Sequence, residues 1–205
     1  MDKSAKPVIG LVGGIGSGKS LVAGAFARRG GRILSGDQYG HEALRQPVIK
    51  ENVVARWGKD LLDEQGEVIR RKLGKIVFGK EEERKALEEL VFPFIEKRIV
   101  EEIEAARRDD SVKVIVLDAA IMLETGWNKV CDWIVYVHGP RRERLKRLAE
   151  QRGWTAEEVE ARESAQLPLT QKILQSDYVI DNSDTPEETA RQVDDLLAEL
   201  LESRL

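Results

Sequence analysis

Disulfides are excluded at once: the 205-residue chain has one cysteine, Cys131, so no intramolecular bridge can form, and a lone thiol fits a reducing compartment. Long apolar runs are also missing. No stretch approaches the ~20 residues that cross a bilayer, so no membrane partner is expected. The stretch Met1 to Pro7 is polar, and the apolar run after it, Val8 to Val12, stops at glycines, so a secretory leader is not expected. Histidine is scarce. His41 and His138 are far apart and unaccompanied, which argues against a metal pair and for a surface position and a strand end respectively. A positive excess is absent too: 33 Lys and Arg stand against 37 Asp and Glu, a net charge of −4, which argues against a general nucleic-acid binder. There is no internal repeat and no low-complexity segment. The remaining expectation is a cytoplasmic globular chain, a monomer or small homo-oligomer, built as one large α/β domain with insertions.

Against these absences one stretch stands out: Gly13-Gly14-Ile15-Gly16-Ser17-Gly18-Lys19-Ser20. It fits the phosphate-loop template of Gly, four residues, then Gly-Lys-Ser. Val8 to Val12 before it reads as a buried strand, and Leu21 to Arg29 after it as a helix. A strand that ends in glycines and opens into a helix gathers backbone N–H groups in one concavity, at the positive end of the helix dipole. Such a cradle holds a nucleoside triphosphate. Glycine is expected there because a Cβ blocks both the close approach and the φ values required. Lys19 would reach the β- and γ-phosphates, and the Ser20 hydroxyl would ligate Mg²⁺.

Arg32 to Ser35 reads as a second strand, giving a βαβ unit and hence a parallel sheet. Asp37 follows it. In open parallel sheets the chemistry lies beyond the carboxyl ends of strands, so Asp37 is a candidate base or metal-orienting carboxylate; a helix N-cap is the alternative. Residues 47–107 carry helical spacing throughout: Val48 to Trp57, Val68 to Phe78, Glu81 to Val91, and a further helix from Pro93 to Arg107 with Val91, Phe94, Ile95, Ile99 and Ile103 on its apolar face. This insertion would wall a second substrate.

Val112 to Asp118 is the strongest strand. Its terminal Asp118 is either a Mg²⁺-site carboxylate, acting through water, or a capping residue. Trp133 to His138 reads as a fourth strand. A helix rich in arginine follows, with Arg141, Arg142, Arg144 and Arg147, then a second one opened by the capping box Thr155-x-x-Glu158, carrying Arg162 and ending at Pro168. This hairpin reads as a lid whose arginines either stabilise phosphoryl charge or form a solvated face. Asp177 to Asn182 is a fifth strand. Thr185-Pro186-Glu187-Glu188 opens the last helix, whose face of Ala190, Val193, Leu196, Leu197 and Leu200 packs on the sheet.

Taken as an ordered set, these residues resemble the dephospho-coenzyme A kinase family. The phosphate loop with its Gly-Gly-Ile-Gly run, Asp37, Arg71-x-Leu73 with Val77-Phe78, Leu123-Glu124, the lid residues Arg162, Gln166 and Lys172, and Asp177 to Asn182 carry the likeness over about residues 7–200. The resemblance implies a three-layer α/β/α P-loop kinase core with a five-stranded parallel sheet (7–45, 111–140, 175–205), a helical substrate domain (46–110) and a helical lid (141–174). It implies phosphorylation of the ribose 3′-hydroxyl of dephospho-CoA by ATP with Mg²⁺, the last step of coenzyme A biosynthesis. Asp37 would take or orient the hydroxyl proton. Lys19, Arg144 and Arg147 would stabilise the transferred phosphoryl group, residues 13–21 including Leu21 would hold ATP, and Asn182 would lie beside the adenine. Arg71, Leu123, Glu124 and Arg162 would bind the acceptor; Ser20 and Asp118 would serve the metal. Four departures stand out: Leu21 replaces a threonine, Ser35 a carboxylate, Phe92 the histidine of His-Pro, and Ala120-Ile121-Met122 a Pro-Leu-Leu run. The alternatives are a P-loop kinase for another nucleoside or small-molecule alcohol and a degenerate nucleotide- or CoA-binding regulator.

Overall fold

The sheet follows from five short runs of β-branched and aliphatic residues: β1 Val8–Gly13, β2 Gly31–Ser35, β3 Val114–Asp118, β4 Trp133–His138 and β5 Tyr178–Asp181. In this computed structural model, which describes residues 6–77 and 79–202, all four pairings are parallel and the strand order is β2-β3-β1-β4-β5. β1 is buried along its whole length, as a central strand covered on both faces must be. Side-chain carboxylates fix the strand starts: Asp132 Oδ2 accepts from the Val8 amide at 2.8 Å and Asp177 Oδ2 from the Ile134 amide at 2.7 Å.

The helices are α1 Lys19–Ala27, α2 Gly36–Arg45, α3 Pro47–Trp57, α4 Arg70–Val77, α5 Glu81–Arg108, α6 Met122–Thr125, α7 Arg141–Arg152, α8 Ala156–Glu163, α9 Leu169–Leu174 and α10 Pro186–Glu202. The chain divides into two compact units, Met1–Ser35 with Glu102–Leu205, and Gly36–Glu101. The first holds the sheet. Its core joins Ile9, Leu11, Val114, Val116, Val135, Val137 and Ile180 to Val22 and Phe26 of α1 and Val193, Leu196, Leu197 and Leu200 of α10. The second has its own small core of Val53, Leu61, Leu73 and Val77. It contains most of the segment expected to bind substrate and takes in Asp37 as well. The Phe78 expectation lies outside the described residues, as do Met1 to Ala5 of the leader argument.

Two element boundaries and one helix cap differ from the sequence expectation. Pro93 does not separate two helices; α5 runs through it. Val91, Ile95, Ile99, Ile103 and Ala106 are all buried, so the stripe continues unbroken across the proline. Burying Ile95 and Ile99 contributes about 1.5–3 kcal/mol each, which offsets the roughly 3 kcal/mol an interior proline costs. The second lid helix ends at Glu163, well before Pro168, and the short α9 follows. At the start of α10 the box is half made. The Thr185 hydroxyl accepts from the Glu188 amide, but the Glu188 carboxylate turns to Arg191 and Asp184 takes the Thr185 amide. The other capping box, Thr155 with Glu158, is complete.

Candidate functional site

The phosphate loop leaves β1 at Gly13 and enters α1 at Lys19. Gly16 and Gly18 have φ of 76° and 95°, a backbone region that side chains rarely adopt. Two loop amides are already spent: Ser17 N–H donates to Gly14 O at 3.1 Å and Leu21 N–H to Gly18 O at 2.9 Å. The Leu21 amide thus already has one backbone acceptor within the first turn. The amides of Ile15, Gly16, Gly18 and Ser20 have no backbone partner among the described residues. The first turn of a helix leaves such donors open by construction. Ser20 is exposed at the mouth of the loop.

What holds the loop in shape comes from its carbonyl side. Arg144, with only 4% of its surface exposed, donates from Nε to Gly139 O at 3.1 Å and from Nη1 to Ile15 O at 3.0 Å, and pairs with Glu163. Arg147 points Nη1 at Gly16 O and Ser17 O, both at 3.5 Å, and Nη2 at Asn182 O at 3.2 Å. Asn182 is buried. Its Nδ2 donates to Ser17 O at 2.8 Å, and its Oδ1 accepts from Thr189 Oγ1 at 3.1 Å. This bracing sets the glycine requirement. A Cβ on Gly14 would sit 2.7 Å from Arg144 Nη1, and one on Gly18 would sit 1.9 Å from Asn182 Nδ2. Glycine is therefore required on the packing side of the loop as well as on the ligand side. Arg144, Arg147 and Asn182 thus contact the loop itself, which gives them a positioning role. Thr189, on the helix expected only to pack on the sheet, completes the brace. A polar threonine facing inward on the apolar side of α10 is the one sequence signal that could have shown it.

Asp118 ends β3, registered with Leu11 of β1 on one side and Ser35 of β2 on the other. It lies at the carboxyl edge of the sheet beside the strand that feeds the loop, where α/β folds carry their chemistry. Among the described residues no group of three or more His, Cys, Asp or Glu could hold a metal by itself. A loop that supplies one hydroxyl and leaves the other ligands to phosphates and water needs no such group, so Ser20 and Asp118 fit Mg²⁺ bound with a nucleotide.

Beyond Asp118 the expected acceptor residues divide. Glu124 is spent inside the unit: Oε1 takes the Leu167 amide at 2.8 Å and lies 3.0 Å from Lys172 Nζ. Lys172 is fully buried and also donates to Ala120 O at 2.8 Å and Gln166 Oε1 at 3.0 Å. The node ties the segment after β3 to the base of the lid. Leu123 is half-buried on α6. Arg162 stacks over Trp154, 4.0 Å from the ring centroid, with Arg152 at 4.9 Å.

In the second unit Asp37 is exposed in the first turn of α2. Arg71 is exposed, and its neighbour Arg70 is the one that reaches this helix, with Nη1 3.4 Å from His41 Nδ1. His41 is half-buried and not on the open surface as expected, and its Nε2 is shielded. Burial first, then the charges of Arg70 and Arg45, push the imidazole below its ordinary value, with Asp37 opposing. No helix among the described residues is long and apolar enough to cross a membrane.

Comparison with known proteins agrees with this geometry. A family model of dephospho-CoA kinase matches residues 7–188. A dephospho-CoA kinase of Aquifex aeolicus is 40% identical over 194 residues, 94% of this chain and 96% of that one. One of Geobacillus kaustophilus is 39% identical over 186 residues, 90% and 92% of the two chains. A crystal structure of a Thermus thermophilus protein superposes with a TM-score of 0.78 at 32% identity, covering 96% of this chain and 98% of that one. With a loop built for polyphosphate, a β2-β3-β1-β4-β5 parallel sheet and likeness along nearly its whole length, the chain belongs to the dephospho-CoA kinase family.

Proposed function

We propose that this chain transfers the γ-phosphoryl group of ATP to the ribose 3′-hydroxyl of dephospho-CoA, giving CoA and ADP. The observation that carries the reading is the phosphate loop. Its carbonyls are engaged from behind by Arg144, Arg147 and Asn182 while the amides of Ile15, Gly16, Gly18 and Ser20 stay open. Family membership supplies the acceptor.

In this reading the loop amides and Lys19 hold the triphosphate, and catalysis is positioning and charge stabilisation. Asp37 takes the proton of the 3′-hydroxyl as its oxygen bonds to the γ-phosphorus and the bond to the β-phosphate oxygen breaks. Ser20 and Asp118 would hold Mg²⁺, which would supply neutralisation of phosphate charge. Leu21 carries no hydroxyl, so loop-side recognition rests on backbone amides and Ser20. The brace of buried Arg144 and half-buried Arg147 keeps the amides aimed without reorganisation during the reaction. Residues 46–110 form the wall for the acceptor and 141–174 the lid. We place the reaction in the cytoplasm, in a monomer or small homo-oligomer, with no nucleic-acid partner. The single, half-buried Cys131 supports that compartment.

The test is product identification. Incubation with ATP, Mg²⁺ and dephospho-CoA should give one new phosphomonoester by phosphorus NMR, at the ribose 3′ position, with equimolar ADP. ADP release that does not respond to dephospho-CoA, or that responds better to another alcohol, overturns the reading.

A further inference from the structure

Asp37 and His41 are four residues apart on α2, so they share one helix face with Cβ atoms roughly 5–6 Å apart. Arg70 closes on the ring from α4, with Nη1 3.4 Å from Nδ1. A guanidinium only donates, so Nδ1 is the accepting nitrogen and the ring proton sits on Nε2. That Nε2 is screened from solvent and has no hydrogen-bond partner among the described residues. Shielded polar atoms are nearly always paired, so an unpaired one calls for an occupant. The charged groups that act on the ring are Arg70 and Arg45, which disfavour its cationic form together with burial, and Asp37, which favours it. The helix therefore carries one exposed acceptor, the Asp37 carboxylate, and, a turn away, one neutral N–H donor that a ligand reaches only by displacing what covers it.

We propose that His41 is a second substrate-contacting group, whose Nε2–H donates to the ribose oxygen adjacent to the phosphorylated hydroxyl, so that Asp37 and His41 together read a vicinal diol. This rests on the function proposed above. A carboxylate alone accepts a proton from either hydroxyl of a ribose. A donor fixed beside it requires an acceptor oxygen at the neighbouring carbon, and so sets which hydroxyl meets the carboxylate. Arg70 is then a positioning residue that fixes the tautomer.

The experiment compares dephospho-CoA with its 2′-deoxy analogue. The wild-type chain should favour the ribose form by roughly tenfold or more in kcat/KM, because the analogue leaves the His41 donor unpaired. His41→Phe should lose about the same factor on dephospho-CoA, keep its KM for ATP, and treat the two acceptors alike. His41→Gln, whose amide N–H reaches a similar point, should recover part of the preference. A His41→Phe enzyme that still discriminates overturns the proposal. So does equal kcat/KM for the two acceptors in the wild-type chain, a result that needs no variant to fold. A wild-type chain inactive on dephospho-CoA overturns the parent reading, and this one with it.

Discussion

Replacing Lys172 by methionine keeps most of the stem and deletes a cation that is fully buried. The ammonium donates to Ala120 O at 2.8 Å and Gln166 Oε1 at 3.0 Å and pairs with Glu124 Oε1 at 3.0 Å. The variant leaves all three without that donor. Removing one partner of a buried pair costs about 3–5 kcal/mol. The Glu124 side chain is 19% exposed and keeps the Leu167 amide, so water and one hydrogen bond soften the loss. The lower end applies, about 3 kcal/mol. For a domain of this size each kcal/mol moves the midpoint by about 2–4 °C, so Tm should fall by about 6–12 °C. Thermal melts and urea titration measure it. The double variant Lys172→Met/Glu124→Gln removes the stranded charge and should recover roughly half of the loss. A loss under about 1 kcal/mol, or a double variant no better than the single one, would refute the claim that this pair is energetically coupled.

Two further predictions test other parts of the molecule. Gly18→Ala puts a Cβ 1.9 Å from Asn182 Nδ2 at a φ of 95°, so the loop must deform; titration calorimetry should show nucleotide affinity down by at least roughly tenfold with the far-UV spectrum unchanged. Unaltered affinity would mean that the brace does not shape the loop. Burial pushes the Cys131 thiol up to about 12, so the native protein should resist thiol reagents at pH 8 and label fully in urea. The thiol's contribution to stability is whole below the unfolded value near 8.5 and is lost as pH rises toward about 12. Stoichiometric labelling of the native chain within minutes would contradict that burial.

The strands were legible because each is a short apolar run closed by Gly, Asp or Asn. All five were placed to within two residues, from Val8 to Asp181. The loop was legible because its template joins chemistry to a strand–helix junction. What sequence could not show is which side of the loop a side chain serves. The lid arginines stood out as either phosphate-stabilising groups or a solvated face, and only the fold shows that Arg144 and Arg147 meet the carbonyl side of the loop. Pro93 misled because local propensity was outweighed by the stripe Val91-Ile95-Ile99. Arg70 and Arg71 differ only in helical phase, so the sequence could not show which of them lies beside His41. His41 was read as a surface residue because a lone histidine gives no pattern, and its value lies in Asp37 one turn before it and Arg70 on another helix.

The central claim is that the loop grips a triphosphate while Asp37 takes the proton of the acceptor hydroxyl. It is tested most directly by Asp37→Asn, with ATP-analogue binding by calorimetry and turnover by coupled ADP release measured on the same preparation. The account predicts nucleotide affinity within a factor of about two of the wild type and kcat lower by roughly a hundredfold or more. A variant that turns over at the wild-type rate, or one that loses nucleotide binding in proportion to its activity, would contradict it.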